Sequence, residues 1–459
     1  MTNHLHQSYQ QIKNPILREQ YRQIFEQELN PSPLPKRFFS FLTQGKVLTS
    51  ITFLCLLIFI LPLGIYFWQN SQAQKQVLSA KIEVDQALPK PTLPQAFSLN
   101  LPSYTPTPLS QVTVSSKKQI IGFLPYWTVK ENPLIKHENL TQIAYFGVAF
   151  DADGNIKAQN DDGSPDPGWL YLDQPELNQI LQAAKTANTQ TALVARSMNN
   201  DDIASLVNDG IKREVFLRKV LNLIKQKKFD SLNLDFEYAG SPLPVTIKNF
   251  TRLCNELKEA LLKINPSPTL TIDVFADSAQ KVRLYDLKNL KDIADYLIIM
   301  GYDIYRPNSD IAAPSAPLGP SSYFTDYLQT LASFLKIVPA QKIILAVPYY
   351  GYEWQTTTTQ KNAPTLKDSG ALATYKRVKE LQKSKKVQLF WDNEGQTPWL
   401  TYQEDGKIQQ IHFENVSSLS LKYDLINELN LAGVAIWALG YDSPHLELWQ
   451  LLHQKFPRQ

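Results

Sequence analysis

The chain has 459 residues, of which 43% are hydrophobic and 19% charged, and its formal net charge is +3. A charge so close to neutral gives no electrostatic basis for nucleic-acid binding, so no nucleic-acid partner is expected. Cys55 and Cys254 offer no disulfide framework, and the six histidines show no spacing suited to a metal site. We therefore expect a monomer without metal or cofactor.

An uncharged apolar run over residues 47–68 is long enough to cross a bilayer as one helix. Lys36, Arg37 and Lys46 precede the run, whereas the residues just after it are uncharged. The excess of positive charge on cytoplasmic flanks then places residues 1–46 in the cytoplasm. The sequence thus predicts a single-pass protein of the cell membrane, with everything after the helix outside the cell.

Two other interpretations of this run are open. It could be a signal peptide cleaved near Ser71-Gln-Ala73, but the apolar core of such peptides is usually about 7–15 residues long. It could also be a buried core helix, which the lack of any polar face disfavours. An uncleaved anchor is the favoured interpretation.

Residues 69–117 are rich in proline, serine, threonine and glutamine. Such a composition predicts an extended, semi-rigid linker that holds the next domain away from the membrane. The prolines that set this character are Pro89, Pro91, Pro94, Pro102, Pro106 and Pro108.

From residue 118 to residue 457, short apolar segments alternate with amphipathic helical patterns such as Leu177–Ala187. Eight such units predict an α/β fold of the (β/α)₈ TIM-barrel type, and no glycine-rich phosphate loop supports an open doubly wound sheet. Residues 355 to about 420 are predicted to be a small α+β insertion between strands 7 and 8. The predicted strands are Ile120–Tyr126, Gln142–Phe150, Thr191–Arg196, Ser231–Glu237, Leu270–Phe275, Tyr296–Tyr302, Lys342–Pro348 and Gly433–Leu439.

The fourth predicted strand carries Asn233, Asp235 and Glu237 at alternate positions. A strand points all three to one face and its leucines and phenylalanine to the other. A row of two carboxylates and an amide beside apolar groups costs free energy unless it faces a polar cavity. Such a row at the end of a barrel strand is typical of an active site; a half-exposed edge strand is the alternative.

Polar or aromatic groups also end other predicted strands: Tyr126-Trp127, Met300–Asp303, Pro348–Gly351 and Trp437–Gly440. Together with the Asp230–Glu237 stretch, these motifs resemble glycoside hydrolase family 18, the chitinase-like barrel hydrolases, over roughly residues 119–455. Within that family the chain is most similar to the bacterial spore-cortex-lytic and germination-type branch. That branch tends to carry asparagine where chitinases carry a third acidic residue, as Asn233 does.

The resemblance implies a substrate-assisted retaining mechanism, in which the N-acetyl group of the sugar attacks its own anomeric carbon. Glu237 matches the acid that protonates the glycosidic oxygen and later activates water. Asp235 matches the group that holds the acetamido N–H and offsets the charge of the intermediate. Tyr302 matches the hydroxyl that binds the acetamido carbonyl, with Asp303 beside it.

The resemblance also implies a set of substrate-binding residues around the reacting sugar. Trp437 matches the aromatic floor beneath that sugar, and Tyr126 and Trp127 are candidates for stacking on sugar faces. The remaining substrate-binding candidates are Asn233, Asp303, Met300 and Tyr349.

The chain departs from the chitinase pattern in two places. An amide at Asn233 cannot ionise, so its NH₂ is expected to donate to Asp235 and keep that carboxylate ionised. The third strand, Ala192–Ser197, lacks the Ser-x-Gly-Gly pattern of many chitinases, which puts a chitinase-like cleft in doubt more than the chemistry.

Several residues keep a second interpretation. Trp437 on an apolar strand is by itself more often a core residue, and Tyr349 is as well placed to pack as to bind. The sequence leaves open whether Glu414 reaches the cleft or lies in a solvated turn. Two interpretations of Arg196 are open. The favoured one is a structural ion pair, and the other is that Arg196 binds a substrate carboxylate such as that of muramic acid. Asp230 has the opposite parity to the row and is expected to be structural.

The leading hypothesis is a membrane-anchored hydrolase that acts outside the cell on β-linked N-acetylhexosamine polymers, either peptidoglycan or a chitin-like polysaccharide. A carbohydrate-binding, lectin-like pseudoenzyme is the alternative, but such proteins typically lose the acid that Glu237 retains. An envelope scaffold that binds protein has no support in the sequence.

Overall fold

The computed structural model describes residues 118–264 and 269–458. The predicted cytoplasmic segment, transmembrane helix and proline-rich linker all lie outside these residues. None of the helices formed by residues 118–264 and 269–458 is both long enough and apolar enough to span a bilayer.

Eight parallel strands close into a barrel in the order β1-β13-β7-β6-β5-β4-β3-β2. Every predicted barrel strand is present, and the closed barrel confirms the predicted fold. In chain order these strands are β1 (Gln119–Pro125), β2 (Gln142–Ala149), β3 (Gln190–Ser197), β4 (Ser231–Phe236), β5 (Leu270–Phe275), β6 (Tyr296–Met300), β7 (Ile343–Pro348) and β13 (Gly433–Trp437).

Helices on the outside of the barrel follow most of these strands. Asp209 caps the longer helix after β3, because its side chain accepts hydrogen bonds from two backbone N–H groups of the first turn. The helices are α1 (Tyr126–Val129), α2 (Pro167–Tyr171), α3 (Pro175–Thr186), α4 (Asn200–Asn208), α5 (Gly210–Lys227), α6 (Pro244–Leu262), α7 (Leu287–Ile293), α8 (Tyr327–Phe334), α9 (Tyr375–Ser384), α10 (Val416–Glu428) and α11 (Glu447–Lys455).

Strand β4 lies between β3 and β5, so the edge-strand alternative is wrong. Its apolar residues Leu232, Leu234 and Phe236 are fully buried in the layer between the strands and the helices. The ring of Phe236 lies 6.1 Å from that of Phe250 on α6. Because side chains alternate along a strand, the intervening polar residues point into the barrel.

A second, antiparallel sheet of order β10-β11-β12-β8-β9 is inserted between β7 and β13. Its strands run from residue 350 to residue 412, earlier than the predicted 355–420, and residues 416–428 instead form the barrel helix α10. The strands are β8 (Tyr350–Thr356), β9 (Ala371–Thr374), β10 (Gln388–Asp392), β11 (Thr397–Glu404) and β12 (Lys407–His412).

Candidate active site

A cavity of about 240 Å³ opens at the carboxyl ends of the barrel strands. Ligand sites of (β/α)₈ barrels lie on this face, because the βα loops surround it. The cavity is lined by Phe123, Trp127, Phe146, Met198, Asp235, Glu237, Asp273, Phe275, Ile298, Met300, Tyr302, Asp303, Arg306 and Trp437.

Glu237 directly follows β4, and its backbone N–H donates to the carbonyl of Ser197 at 2.9 Å, which fixes the strand end against β3. Burial raises the pKa of the Glu237 carboxyl, and the nearby Asp303 raises it further, whereas Arg306 opposes the rise. A carboxyl with a raised pKa keeps its proton to higher pH, which suits a general acid.

Asp235 lies two residues earlier on β4 and is 3% exposed. Burial raises its pKa well above the usual value, and the carboxyls of Glu237 and Asp273 add to the rise, while Arg196 opposes it. Its Oδ1 receives no hydrogen bond from any described residue. A buried, unpaired carboxylate oxygen favours the protonated form.

The hydrogen bonds of Asn233 differ from the expectation that its amide donates to Asp235. Its NH₂ donates to Thr271 Oγ1 and to Asp273 Oδ1, both at 2.8 Å, which uses both of its hydrogens. The amide therefore does not donate to Asp235, and it does not keep that carboxylate ionised. Asn233 has no exposed surface and is not among the residues that line the cavity, so direct contact with a substrate has no support in this structure.

Asp273 on β5 is a lining residue that the sequence analysis missed. A signal was present, because Asp273 is a charged residue inside the apolar segment Leu270–Phe275, at an inward-facing position. The apolar pattern of the segment predicts only a strand, and the partner of the aspartate depends on how β5 pairs with β4.

Tyr302 and Asp303 follow β6 and both line the cavity. Burial raises the pKa of the Tyr302 hydroxyl, with added contributions from nearby carboxyls. Asp303 Oδ1 accepts hydrogen bonds from the hydroxyls of Tyr350 and, at 2.8 Å, Tyr352, both on β8. Asp303 therefore ties the barrel rim to the inserted sheet as well as facing the cavity.

Aromatic rings close one side of the cavity. The Trp437 ring meets Phe146 edge-to-face at 4.7 Å and lies 6.1 Å from the ring of Trp127. Trp127 is 40% exposed, and its Nε1–H donates to the Tyr441 hydroxyl at 3.2 Å, which fixes the indole plane. Both tryptophans line the cavity, and Met300 lines it with them.

Besides Asn233, two more of the predicted substrate-binding residues do not line this cavity. Tyr349 has no exposed surface, and its hydroxyl lies 3.0 Å from that of Tyr423, so it is a core residue. Tyr126 packs its ring against Trp127 at 4.8 Å and against Tyr171 at 6.4 Å. Substrate contact by Tyr349 therefore has no support in this structure, and Tyr126 contacts Trp127 edge-to-face without lining the cavity itself.

Three charged residues with open interpretations are structural. Arg196 pairs with Asp166 at 2.9 Å, the favoured of its two alternatives. Asp230 accepts hydrogen bonds from a threonine of β3 at 2.7 and 2.9 Å, as expected. Glu414 neither reaches the cavity nor lies in a solvated turn, because it is buried against Lys422 at 2.7 Å.

No group of three or more histidine, cysteine, aspartate or glutamate residues within 118–264 and 269–458 is arranged to hold a metal ion. The groups that the cavity offers for chemistry are a carboxyl with a raised pKa (Glu237), a buried carboxyl two residues earlier (Asp235), a tyrosine hydroxyl and an aromatic wall. A larger, open groove of about 890 Å³ follows the loop after β2, but none of the predicted site residues lines it.

Comparison with known proteins gives a family match over most of the barrel. The model of the glycosyl hydrolases family 18 matches residues 119–442. The cortical fragment-lytic enzyme of Bacillus subtilis (strain 168) is 23% identical over 291 residues, covering 61% of this chain and 64% of that enzyme. This chain therefore spans less than two thirds of that relative.

Human di-N-acetylchitobiase is 25% identical over 270 residues, which cover 53% of this chain and 68% of the human protein. The crystal structure of a Cycas revoluta GH18 chitinase in complex with (GlcNAc)3 superposes with a TM-score of 0.63 at 20% identity. That superposition covers 73% of this chain and 99% of the chitinase. The resemblance drawn from the strand-end motifs, including the cortex-lytic branch, is confirmed.

Proposed function

This chain belongs to family 18 of the glycosyl hydrolases, and from that premise we propose that it hydrolyses β-linked N-acetylhexosamine glycans with Glu237 as the acid and base. The observation that carries the proposal is the pair of carboxyls at the end of β4, with Asp235 buried and Glu237 half-buried, which line one cavity together with Trp127 and Trp437. A lectin would need the aromatic wall but not a carboxyl whose pKa is raised.

In the proposed reaction Glu237 gives its proton to the glycosidic oxygen as the bond to the anomeric carbon breaks. The acetamido carbonyl oxygen of the same sugar forms the new bond to that carbon, and water activated by Glu237 later opens the cyclic intermediate. Asp235 and the Tyr302 hydroxyl are assigned to the N–H and carbonyl of the acetamido group. Their position beside Glu237 on the cavity lining supports these roles.

We propose a bacterial-wall type of glycan, peptidoglycan, as the first substrate to test. The support is that similar proteins include a cortical fragment-lytic enzyme, and that the cavity carries one basic side chain. Arg306 is the only basic residue among those that line it, and its Nε–H donates to the carbonyl of Asp303 at 2.9 Å. This bond holds the guanidinium at the rim, where the lactyl carboxylate of muramic acid is a suitable partner.

Arg306→Gln is expected to lower kcat/KM on muramic-acid-containing glycan strands about tenfold relative to chitin oligomers. That ratio is the effect of one charge-assisted hydrogen bond. Because Arg306 also lowers the pKa of Glu237, activity on both substrates will change, and the ratio is the informative readout. Arg218→Gln on α5 is the matched control, and an unchanged ratio in Arg306→Gln would exclude this role.

The proposed activity is tested by incubating the full-length protein with purified peptidoglycan and with chitin oligomers, and reading the products by mass spectrometry. Fragments that appear with the wild type but not with Glu237→Gln support hydrolysis. The substrate that yields them distinguishes wall glycan from chitin. Binding of either glycan without cleavage by either protein would instead support the lectin-like alternative.

We also propose that residues 47–68 anchor the protein, so that the barrel acts outside the cell on its own envelope. Full-length protein is expected to stay with membranes after an alkaline wash. The double variant Leu56→Arg and Ile60→Arg is expected to be released, because each charge costs about 2.5–3.5 kcal/mol in a membrane helix. A mature protein that begins near residue 74 would favour the signal-peptide alternative.

A further inference from the structure

Strand β5, which pairs with β4, places the carboxyl of Asp273 inside the barrel. The proposed mechanism does not use this carboxyl. Asp273 is 4% exposed and lines the cavity together with Asp235 and Glu237. In the barrel register Asn233 on β4 faces Thr271 on β5. Asp273 lies two residues after Thr271 and Asp235 lies two residues after Asn233. Both side chains therefore point to the same inward face of the barrel, closer to the cavity.

The Asn233 amide fixes Asp273 in this position. One hydrogen of its NH₂ goes to Thr271 Oγ1 and the other to Asp273 Oδ1, each at 2.8 Å. No basic side chain among residues 118–264 and 269–458 forms an ion pair with Asp273. The only direct stabilisation of its charge that the described residues provide is thus a neutral amide.

Three carboxyls, those of Asp235, Glu237 and Asp273, consequently share one poorly solvated space. Burial raises the pKa of Asp273 to about 8, with Glu237 adding to the rise and the Asn233 hydrogen bond opposing it. Asp273 in turn contributes to the raised pKa of Asp235. Groups that interact this strongly release their protons in steps that belong to the cluster.

We propose that Asp273 is a positioning residue that sets the pH at which the Asp235–Glu237 pair loses its last proton. The third carboxyl is on β5, and Asn233 is the bridge that holds it next to the pair. This inference deepens the proposed hydrolase function and rests on it for its effect on rate.

The alternative is that Asp273 serves only as a hydrogen-bond acceptor for Asn233. Asp273→Asn separates the two roles, because an asparagine oxygen can still accept from the Asn233 amide while the charge is gone. Without that charge, Asp235 ionises more easily, so the Asp235–Glu237 pair loses its last proton at lower pH. The alkaline limb of the pH profile of kcat/KM is then expected to move to lower pH by on the order of one unit, about tenfold in rate on that limb.

Two further variants make the test specific. Thr271→Val removes the other acceptor of the Asn233 amide without changing any charge, so its alkaline limb is expected to stay where it is in the wild type. The exchange variant Asn233→Asp with Asp273→Asn moves the carboxyl from β5 to β4. The alkaline limb of its pH profile is expected to lie closer to that of the wild type than the limb of Asp273→Asn does. Circular dichroism spectra of the variants are compared with that of the wild type to check that each variant is folded.

The effect of Asp273 on the ionisation of the Asp235–Glu237 pair can also be measured without a substrate. Carboxyl carbons of the labelled full-length protein can be titrated by NMR, and the last proton of the Asp235–Glu237 pair should leave at lower pH in Asp273→Asn. If the wild type cleaves no glycan, the proposed function fails and this titration alone decides the inference. Identical titrations in wild type and Asp273→Asn, or an alkaline limb that does not move, would overturn it.

Discussion

Replacing Glu237 by Gln is expected to lower kcat on the cleaved glycan by about 10²–10⁴, the usual contribution of a positioned general acid. The substitution keeps the size and polarity of the side chain and removes the only proton that the mechanism gives to the leaving oxygen. Because the side chain lines the cavity and does not hold the fold together, KM and the unfolding temperature should change little.

The pH dependence of the wild type follows from the same residue. Glu237 must be protonated at the start of the reaction, and its pKa is raised by burial and by Asp303. Activity should therefore persist above the pKa of a free glutamate and be lost as the pH rises through the higher value. Glu214→Gln, on the outer helix α5, is the matched control. Retention of more than a tenth of the wild-type rate in Glu237→Gln would rule out the assigned acid.

The second large effect concerns stability. Lys422 on α10 donates to both carboxylate oxygens of Glu414, at 2.8 and 2.7 Å, and both side chains are buried. Burial by itself raises the pKa of Glu414 and lowers that of Lys422, and each partner opposes this shift in the other. Each charge is thus tolerated only because its partner is present.

Lys422→Met is expected to lower the free energy of unfolding by about 3–5 kcal/mol, because it leaves Glu414 buried without a partner. The double variant Lys422→Met with Glu414→Leu should recover most of this loss, since neither charge then remains in the interior. Both are measured by urea denaturation at neutral pH.

Lys385→Met gives the matched control for this experiment. Lys385 and Glu404 form a pair at 2.9 Å whose side chains are 42% and 38% exposed. Loss of a solvent-exposed pair of this kind usually costs no more than about 1 kcal/mol. If Lys422→Met were no more destabilising than Lys385→Met, the buried pair would not be a stabilising element of the barrel.

Patterns in the amino-acid sequence predict the barrel and the main members of the candidate site. Short apolar segments located all eight barrel strands, because a strand buried on both faces consists of a nearly continuous run of apolar residues. Since parallel strands of a barrel end on one face, the residues that follow them were predicted to meet there. The cavity brings together Asp235, Glu237, Tyr302 and Trp437 in this way.

The hydrogen-bond or ion-pair partner of each polar side chain, in contrast, is known only from the folded structure. Asn233 donates to Asp273, forty residues away, because the register of β4 with β5 places Thr271 opposite it. Tyr349 pairs with Tyr423 in the core, and Glu414 pairs with Lys422 on α10. Periodicity fixes the face to which a side chain points, but hydrogen bonds and ion pairs reach only about 3 Å. Their partners therefore depend on strand register and helix packing, which local sequence patterns do not encode.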